Sequence, residues 1–283
     1  MAIVSFWSNG KEETAKTLSI VAVATNMAIE HNFKILIVST NYNDDTLETC
    51  YWVKEKIQRQ SVIDIPGTMG MQKNHDIDSG IEGLAKIVRA NRTTPEIITN
   101  YTKIVFKDRL EVLLGIKSKS YEEYEKLRSY YVDILQAANQ YYDLVFVDAT
   151  KGLDGNFARS ILDISDLVVS NVTQRLKIVD NFLEIKKNEK IFQKPNNIIL
   201  VGRYDKFSKF NAKNLARYMG EREICVVPYN TLFFEACNEG KVADYFLRFR
   251  LVDETDRNAE FIKEVSKTTE KIVYKLQELQ MNM

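Results

Sequence analysis

The chain has little of what marks a linker, a disulfide framework or a membrane span. Four prolines and eleven glycines in 283 residues leave no Pro-rich or Gly/Ser-rich stretch, and no internal repeat is visible. One domain, residues 1–283, is therefore expected, a size that single α/β domains reach. The three cysteines, Cys50, Cys225 and Cys237, show no metal-ligand spacing and cannot all pair. That argues against a disulfide scaffold and for reduced thiols in a cytoplasmic protein. Net charge is absent as well: 39 basic residues balance 39 acidic ones. No whole-chain field draws the protein to nucleic acid or an anionic membrane, and no basic patch of the kind used on DNA is evident. No apolar run is long enough to cross a bilayer, and no signal peptide is expected ahead of the first apolar segment.

What is there is an alternation of apolar runs and helical periods. Ile3–Trp7 reads as a buried strand, followed by a helix from Ala15 to Glu30 with Leu18, Val21, Ala22, Thr25, Ala28 and Ile29 at helical spacing. Lys34–Val38 is a second strand, and Thr46–Arg59 is predicted helical. Residues 61–79 show no period. Helices are expected at Gly80–Ala90 and Pro95–Tyr101, and a strand at Arg109–Leu114 stopped by Gly115. Tyr121–Tyr141 reads as one long helix whose stripe, including Tyr124 and Tyr131, is core packing rather than a base-stacking surface. Leu144–Val147, Leu167–Asn171, Ile198–Gly202 and Glu223–Val227 are continuous apolar runs, as in strands buried on both faces. Helices around Ile178–Lys187 and Leu215–Met219 separate the last of them. The whole predicts an α/β fold: a doubly wound, mostly parallel twisted sheet with helices on both faces.

In such a sheet, ligands sit at the carboxyl ends of the strands. There the chain places Gly10-Lys11-Glu12-Glu13-Thr14-Ala15-Lys16-Thr17 between the first strand and the first helix. Gly10, Lys16 and Thr17 match the phosphate-loop pattern G-x-x-x-x-G-K-[ST], with Ala15 in the place of the second glycine. In that pattern the lysine reaches the outer phosphates and the threonine hydroxyl binds Mg²⁺. Asp148, delivered by Leu144–Val147, is placed like an aspartate that holds the same metal, and Asp148-Ala149-Thr150-Lys151-Gly152 reads as a D-x-x-x-G switch. ATP and Mg²⁺ are thus the expected cofactors.

Two lysines and a threonine spaced as Lys11, Lys16 and Thr17 resemble the deviant phosphate loop of the ParA/MinD family, K-G-G-x-G-K-T, with its glycines replaced. Ser165-Asp166-Leu167-Val168-Val169-Ser170-Asn171 is similar to a strand of that family, and Glu235-Ala236-Cys237-Asn238-Glu239-Gly240 to one of its helices. Val226-Val227-Pro228-Tyr229-Asn230 is similar to the family's I-P-x-D; the resemblance implies that Arg203, in Arg203-Tyr204-Asp205, contacts adenine and that Pro228 belongs to the nucleotide-binding site. It also implies a homodimer that closes face to face across nucleotide, with Lys11 reaching the partner's phosphates. Thr94-Pro95-Glu96 and Arg109–Leu113 most resemble the TadZ/CpaE-like branch, which implies protein partners in a pilus, secretion or conjugation apparatus. Such a protein is cytoplasmic, or peripheral to the membrane through its partner.

The departures from that family bear on activity. Family members carry aspartates after the second strand, one of which orients the attacking water; Ser39-Thr40-Asn41 stands there instead, with Asp44 and Asp45 displaced along the loop. Asn41 is neutral and cannot take a proton, so little or no hydrolysis is expected. Glu12, Glu13 and Ala15 also remove the freedom of glycine to take positive φ. A carboxylate ~4 Å from a phosphate charge costs on the order of 4 kcal/mol at an effective dielectric of ~20, so Glu12 and Glu13 must point outward or pair with Lys11 for nucleotide to bind. The alternative is a scaffold that binds no nucleotide; an active ATPase that positions cargo is a third reading. The last helix, Asn258–Gln280, carries Phe261, Ile262, Val265, Ile272, Val273, Leu276 and Leu279 on one side and lacks a basic face. Packing onto the sheet is expected of it, not a membrane anchor.

Overall fold

A computed structural model describes residues 1–10, 13–53, 80–90, 94–118, 120–153 and 155–281. Lys11 and Glu12, the part of the expected Thr46–Arg59 helix from 54 onward, and the unperiodic stretch 61–79 lie outside the described residues.

The apolar runs become strands and the amphipathic periods become helices. The chain opens with β1 (Ala2–Trp7), α1 (Lys16–Glu30), β2 (Ile35–Ser39), α2 (Thr46–Tyr51) and α3 (Gly80–Arg89). A 3₁₀ turn at Pro95–Tyr101 leads into β3 (Lys103–Phe106) and β4 (Leu110–Leu113). Next come α4 (Tyr121–Leu127), α5 (Tyr131–Asn139), β5 (Leu144–Asp148), α6 (Asn156–Asp163), β6 (Leu167–Val172) and α7 (Leu176–Asn188). The chain closes with β7 (Asn197–Tyr204), α8 (Ala212–Met219), β8 (Cys225–Pro228), α9 (Thr231–Glu239), α10 (Val242–Phe249) and α11 (Ala259–Met281).

One eight-stranded sheet runs in the order β3-β4-β2-β5-β1-β6-β7-β8. Every pairing is parallel except β3 on β4, an antiparallel edge strand not anticipated from the sequence. Its half-exposed residues, Lys103–Phe106, lack the continuous apolar signature of the central strands.

Alternation along the strands sorts the core into two faces. Val4 and Phe6 of β1 point into the layer containing α1, α9, α10 and α11, whereas Ile3 and Trp7 point to the opposite layer. The C-terminal helix packs as its pattern demands. Phe261, Val265, Ile272 and Leu276 are buried, and the Thr268 hydroxyl donates to the Val226 carbonyl at 2.9 Å. No helix among the described residues is long and apolar enough to cross a membrane.

The expected Tyr121–Tyr141 helix is broken. A 3₁₀ turn at Arg128–Tyr130 separates α4 from α5, where the Ser129 hydroxyl donates to the Lys126 carbonyl at 2.8 Å and competes for the helical ladder. The stripe is core, as expected, and two of its tyrosines also reach the site. Tyr131 donates to the Ser39 carbonyl at 2.9 Å and Tyr124 to the Thr40 carbonyl at 3.1 Å, pinning the chain that leaves β2. Burial pushes the Tyr124 hydroxyl up to about 12, so it remains a donor at neutral pH.

Candidate functional site

β1, β2 and β5 are neighbours in the sheet, so their carboxyl ends deliver three loops to one place. The loops after β1 and β5 are tied by their backbones and by a side chain: Gly152 N–H donates to the Ser8 carbonyl at 2.8 Å, and the Trp7 indole donates to the Gly152 carbonyl at 2.8 Å. Gly10 sits against this junction at φ 87°. A Cβ there would lie 3.1 Å from the Gly152 nitrogen.

Ala15 adopts φ 55°, ψ 31°, the left-handed conformation. Losing the glycine therefore does not deny the loop its positive φ at this position, contrary to expectation; it adds strain on the order of 1 kcal/mol. α1 starts directly after it. No side chain caps the helix, and the Ser19 N–H is the first to bond within it, to the Ala15 carbonyl at 2.9 Å. An uncapped N-terminus opening on a cleft favours an anion.

Three predicted side chains converge on one carboxylate. The Lys16 ammonium lies 2.7 Å from Asp148 Oδ1 and also donates to the Ala149 carbonyl. The Thr17 hydroxyl donates to Asp148 Oδ2 at 2.8 Å, and the Asn41 amide donates to the same oxygen at 3.0 Å. The Asp148 carbonyl accepts from both the backbone N–H and the hydroxyl of Thr40, at 3.1 and 3.0 Å. Lys16 and Asp148 are 4% and 1% exposed, so each charge is buried and compensated by the other.

The two carboxylates expected to repel phosphate can be placed only in part, since Glu12 is outside the described residues. Glu13 points outward. Its carboxylate pairs with Arg203 at 3.2 Å, and its side chain is 76% exposed. Arg203 is the penultimate residue of β7 rather than one that follows it, at φ 51°. One strand position earlier, Gly202 lets the loop descend onto β7: a Cβ there would stand 2.2 Å from the Thr14 carbonyl oxygen. Pro228 ends β8 and lines, with Ala15, Arg203, Tyr229 and Phe234, a slot of only 20 Å³. The open cleft is next to it, about 330 Å³ between the loop, the start of α2 and α9, with Asp44, Asp45 and Lys151 on its walls. Gly202 and Lys151 were not among the predicted site residues. Each stood in a stretch already singled out, at the end of a strand and in the D-x-x-x-G segment.

The residues fit Mg²⁺-nucleotide in their chemistry. Thr17 and Asp148 offer hard oxygens beside the uncapped helix. Ser8 and Thr14 hydroxyls are buried there without a hydrogen-bond partner. Among the described residues no cluster of three or more acids, cysteines or histidines could cage a metal alone. A larger groove of about 1070 Å³ lies at the opposite, amino ends of β7 and β8, against α7, α8 and α11, with lysines and glutamates intermixed.

Comparison with solved structures follows the same lines. The ParA family ATPase from Chlorobium tepidum TLS superposes with a TM-score of 0.66 over 94% of this chain and 97% of its own, at 14% sequence identity. The fold is that of the ParA/MinD ATPases. The septum site-determining protein MinD complexed with Mg-ADP, from Pyrococcus horikoshii OT3, matches with a TM-score of 0.63 at 15% identity, covering 96% and 98% of the two chains. A putative plasmid partition protein from Borrelia burgdorferi B31, bound to AMPPNP, matches at 0.60 and 15% identity, over 97% and 98%. No protein-family model and no curated protein matches the sequence. At these identities the ParA/MinD likeness concerns architecture, and the site residues stand on their own geometry.

Proposed function

We propose that this ParA/MinD-like protein binds ATP with Mg²⁺ and turns it over little or not at all. Occupancy, rather than hydrolysis, sets its homodimeric state or its hold on a protein component of a pilus, secretion or conjugation machine, in the manner of the TadZ/CpaE-like branch. It acts in the cytoplasm, as a single domain, reaching a membrane only through that partner. The observation that carries the reading is the convergence of Lys16, Thr17 and Asn41 on Asp148 beside the uncapped start of α1. The Mg-ADP and AMPPNP bound to two neighbours support the choice of ligand.

In this reading Lys16 would turn from Asp148 to the phosphates, and the Thr17 hydroxyl and the freed carboxylate would hold the metal. Bound there, Mg²⁺ would supply neutralisation of phosphate charge. Asn41 holds a water by hydrogen bonding but takes no proton from it, which keeps the rate low. Arg203 and Pro228 lie on the base side, and Lys11 faces the second protomer.

A second reading, a scaffold that binds no nucleotide, is favoured by two observations: Lys16 is already neutralised by Asp148, and the slot beside Pro228 has room for about one water. Melting with and without millimolar ATP and Mg²⁺ separates the two. A ligand at a hundredfold excess over its Kd stabilises by about 2.7 kcal/mol, so even a weak site registers. The expected result is a shift in the wild type that Lys16→Ala abolishes. The shift is taken within each variant, because Lys16→Ala also leaves Asp148 buried without its cation. No shift in the wild type, with calorimetry silent as well, establishes the scaffold.

A further inference from the structure

We infer that Lys151 is a phosphate-binding residue of the cleft, supplying a cation that the altered loop needs; the inference rests on the nucleotide-binding reading above. The described cations on the cleft wall are Lys16, Lys151 and Arg203, set against the carboxylates of Glu13, Asp44 and Asp45. Two of the three cations are engaged. Lys16 is held by Asp148 at 2.7 Å, and Arg203 by Glu13 at 3.2 Å. Lys151 is exposed and makes no hydrogen bond or ion pair with any described residue. Among the described residues of the wall, removing it leaves two cations against three carboxylates, and Asp148 adds one more negative charge beneath.

Position supports the role. Lys151 precedes Gly152, whose N–H is bonded to the Ser8 carbonyl at the root of the loop. Its own Cβ lies 3.3 Å from where a Cβ on Gly10 would be. The side chain therefore starts at the foot of the loop and borders the same cleft as the first turn of α1. From there a flexible four-carbon stem delivers an ammonium to a phosphate as a point charge. The ligand class is a polyphosphate, whose terminal groups carry the charge that Lys16 alone, shared with Asp148, meets incompletely.

The test titrates inorganic tripolyphosphate, and separately ATP with Mg²⁺, into wild type, Lys151→Ala and Lys151→Arg by calorimetry at low and high salt. A charge-assisted contact of this kind corresponds to about a tenfold change in affinity. Lys151→Ala is expected to weaken both ligands about tenfold at low ionic strength and less at high salt, where an exposed charge is screened. Lys151→Arg is expected to restore binding. Melting of the ligand-free variants should match wild type, since the side chain has no partner to lose among the described residues. If wild type binds and Lys151→Ala binds equally well, the assignment of Lys151 is overturned while the nucleotide reading stands. If Lys151→Ala melts lower and loses affinity with no salt dependence, the residue is structural and the assignment is again overturned. If wild type binds neither probe, the nucleotide reading falls and this inference falls with it.

Discussion

Gly202→Ala tests whether the phosphate loop depends on its seat against β7. Gly202 pairs with Val227 of β8 in a backbone conformation open to any residue, so the substitution probes contact alone. The added Cβ would stand 2.2 Å from the Thr14 carbonyl oxygen, 3.3 Å from the Ser19 hydroxyl and 3.4 Å from the Ala15 Cβ. Carbon and a carbonyl oxygen ordinarily approach to roughly 3.3 Å, so the loop or the strand must yield by about 1 Å, and both atoms at fault belong to backbone-anchored segments. Sharing the strain between loop and strand costs about 1–3 kcal/mol, as overpacking does. Lifting the loop instead drags Lys16, the first residue of α1, from its 2.7 Å contact with Asp148, and separating a buried pair costs about 3–5 kcal/mol. The cheaper route governs, which sets the loss at about 1–3 kcal/mol. At roughly 2–4 °C per kcal/mol for domains somewhat smaller than this one, the ligand-free melting temperature should fall about 2–12 °C. ATP affinity should fall at least tenfold, since displacements of about 1 Å in a binding loop are felt strongly. Melting by circular dichroism and an ATP titration measure both. A variant that melts within about 1 °C of wild type and binds ATP equally would refute the seating of the loop on β7.

Two other predictions concern the charges around the site. Asn41→Asp places a second carboxylate beside Asp148 Oδ2, which now accepts the Asn41 amide at 3.0 Å; like charges there should lower the ligand-free melting temperature, and millimolar Mg²⁺ should reverse the loss. Indifference to Mg²⁺ would argue against a metal position at Asp148, and a robust wild-type ATPase rate would show that Asn41 suffices. Glu48 of α2 pairs with Lys103 at 2.7 Å and with Lys117. Burial pushes its pKa up, but the two ammonium groups outweigh that and hold it below the ordinary value of 4.5. A depressed carboxylate contributes stability that is present above about pH 4.5 and lost as the pH falls through its lower folded value. Glu48→Gln should therefore be less stable than wild type at pH 7 by no more than about 1 kcal/mol, because these pairs are partly solvated. The difference should shrink in urea titrations below pH 4.5, and a constant difference across that range would contradict the pairing.

Much of the architecture is legible along the chain. The apolar runs at Leu144–Val147 and Ile198–Val201 read as strands buried on both faces, and they are such strands; Gly10, Lys16 and Thr17 match the spacing of a phosphate loop. Those signals are local: a period or a spacing reports which face a residue takes and what it can reach within its own turn. What lies opposite that face is set by strand order, which brings together residues far apart in sequence. Only the sheet places β1 between β5 and β6 and so brings Asp148 to Lys16. Only the approach of the loop to β7 makes Gly202 necessary, and only that approach turns Glu13 toward Arg203 instead of the phosphate site. The edge strand β3 and the break at Arg128–Tyr130 escape a sequence reading for a related reason. A half-exposed strand lacks a continuous apolar run, and a hydroxyl competing for one backbone carbonyl leaves the helical period of the neighbouring tyrosines intact.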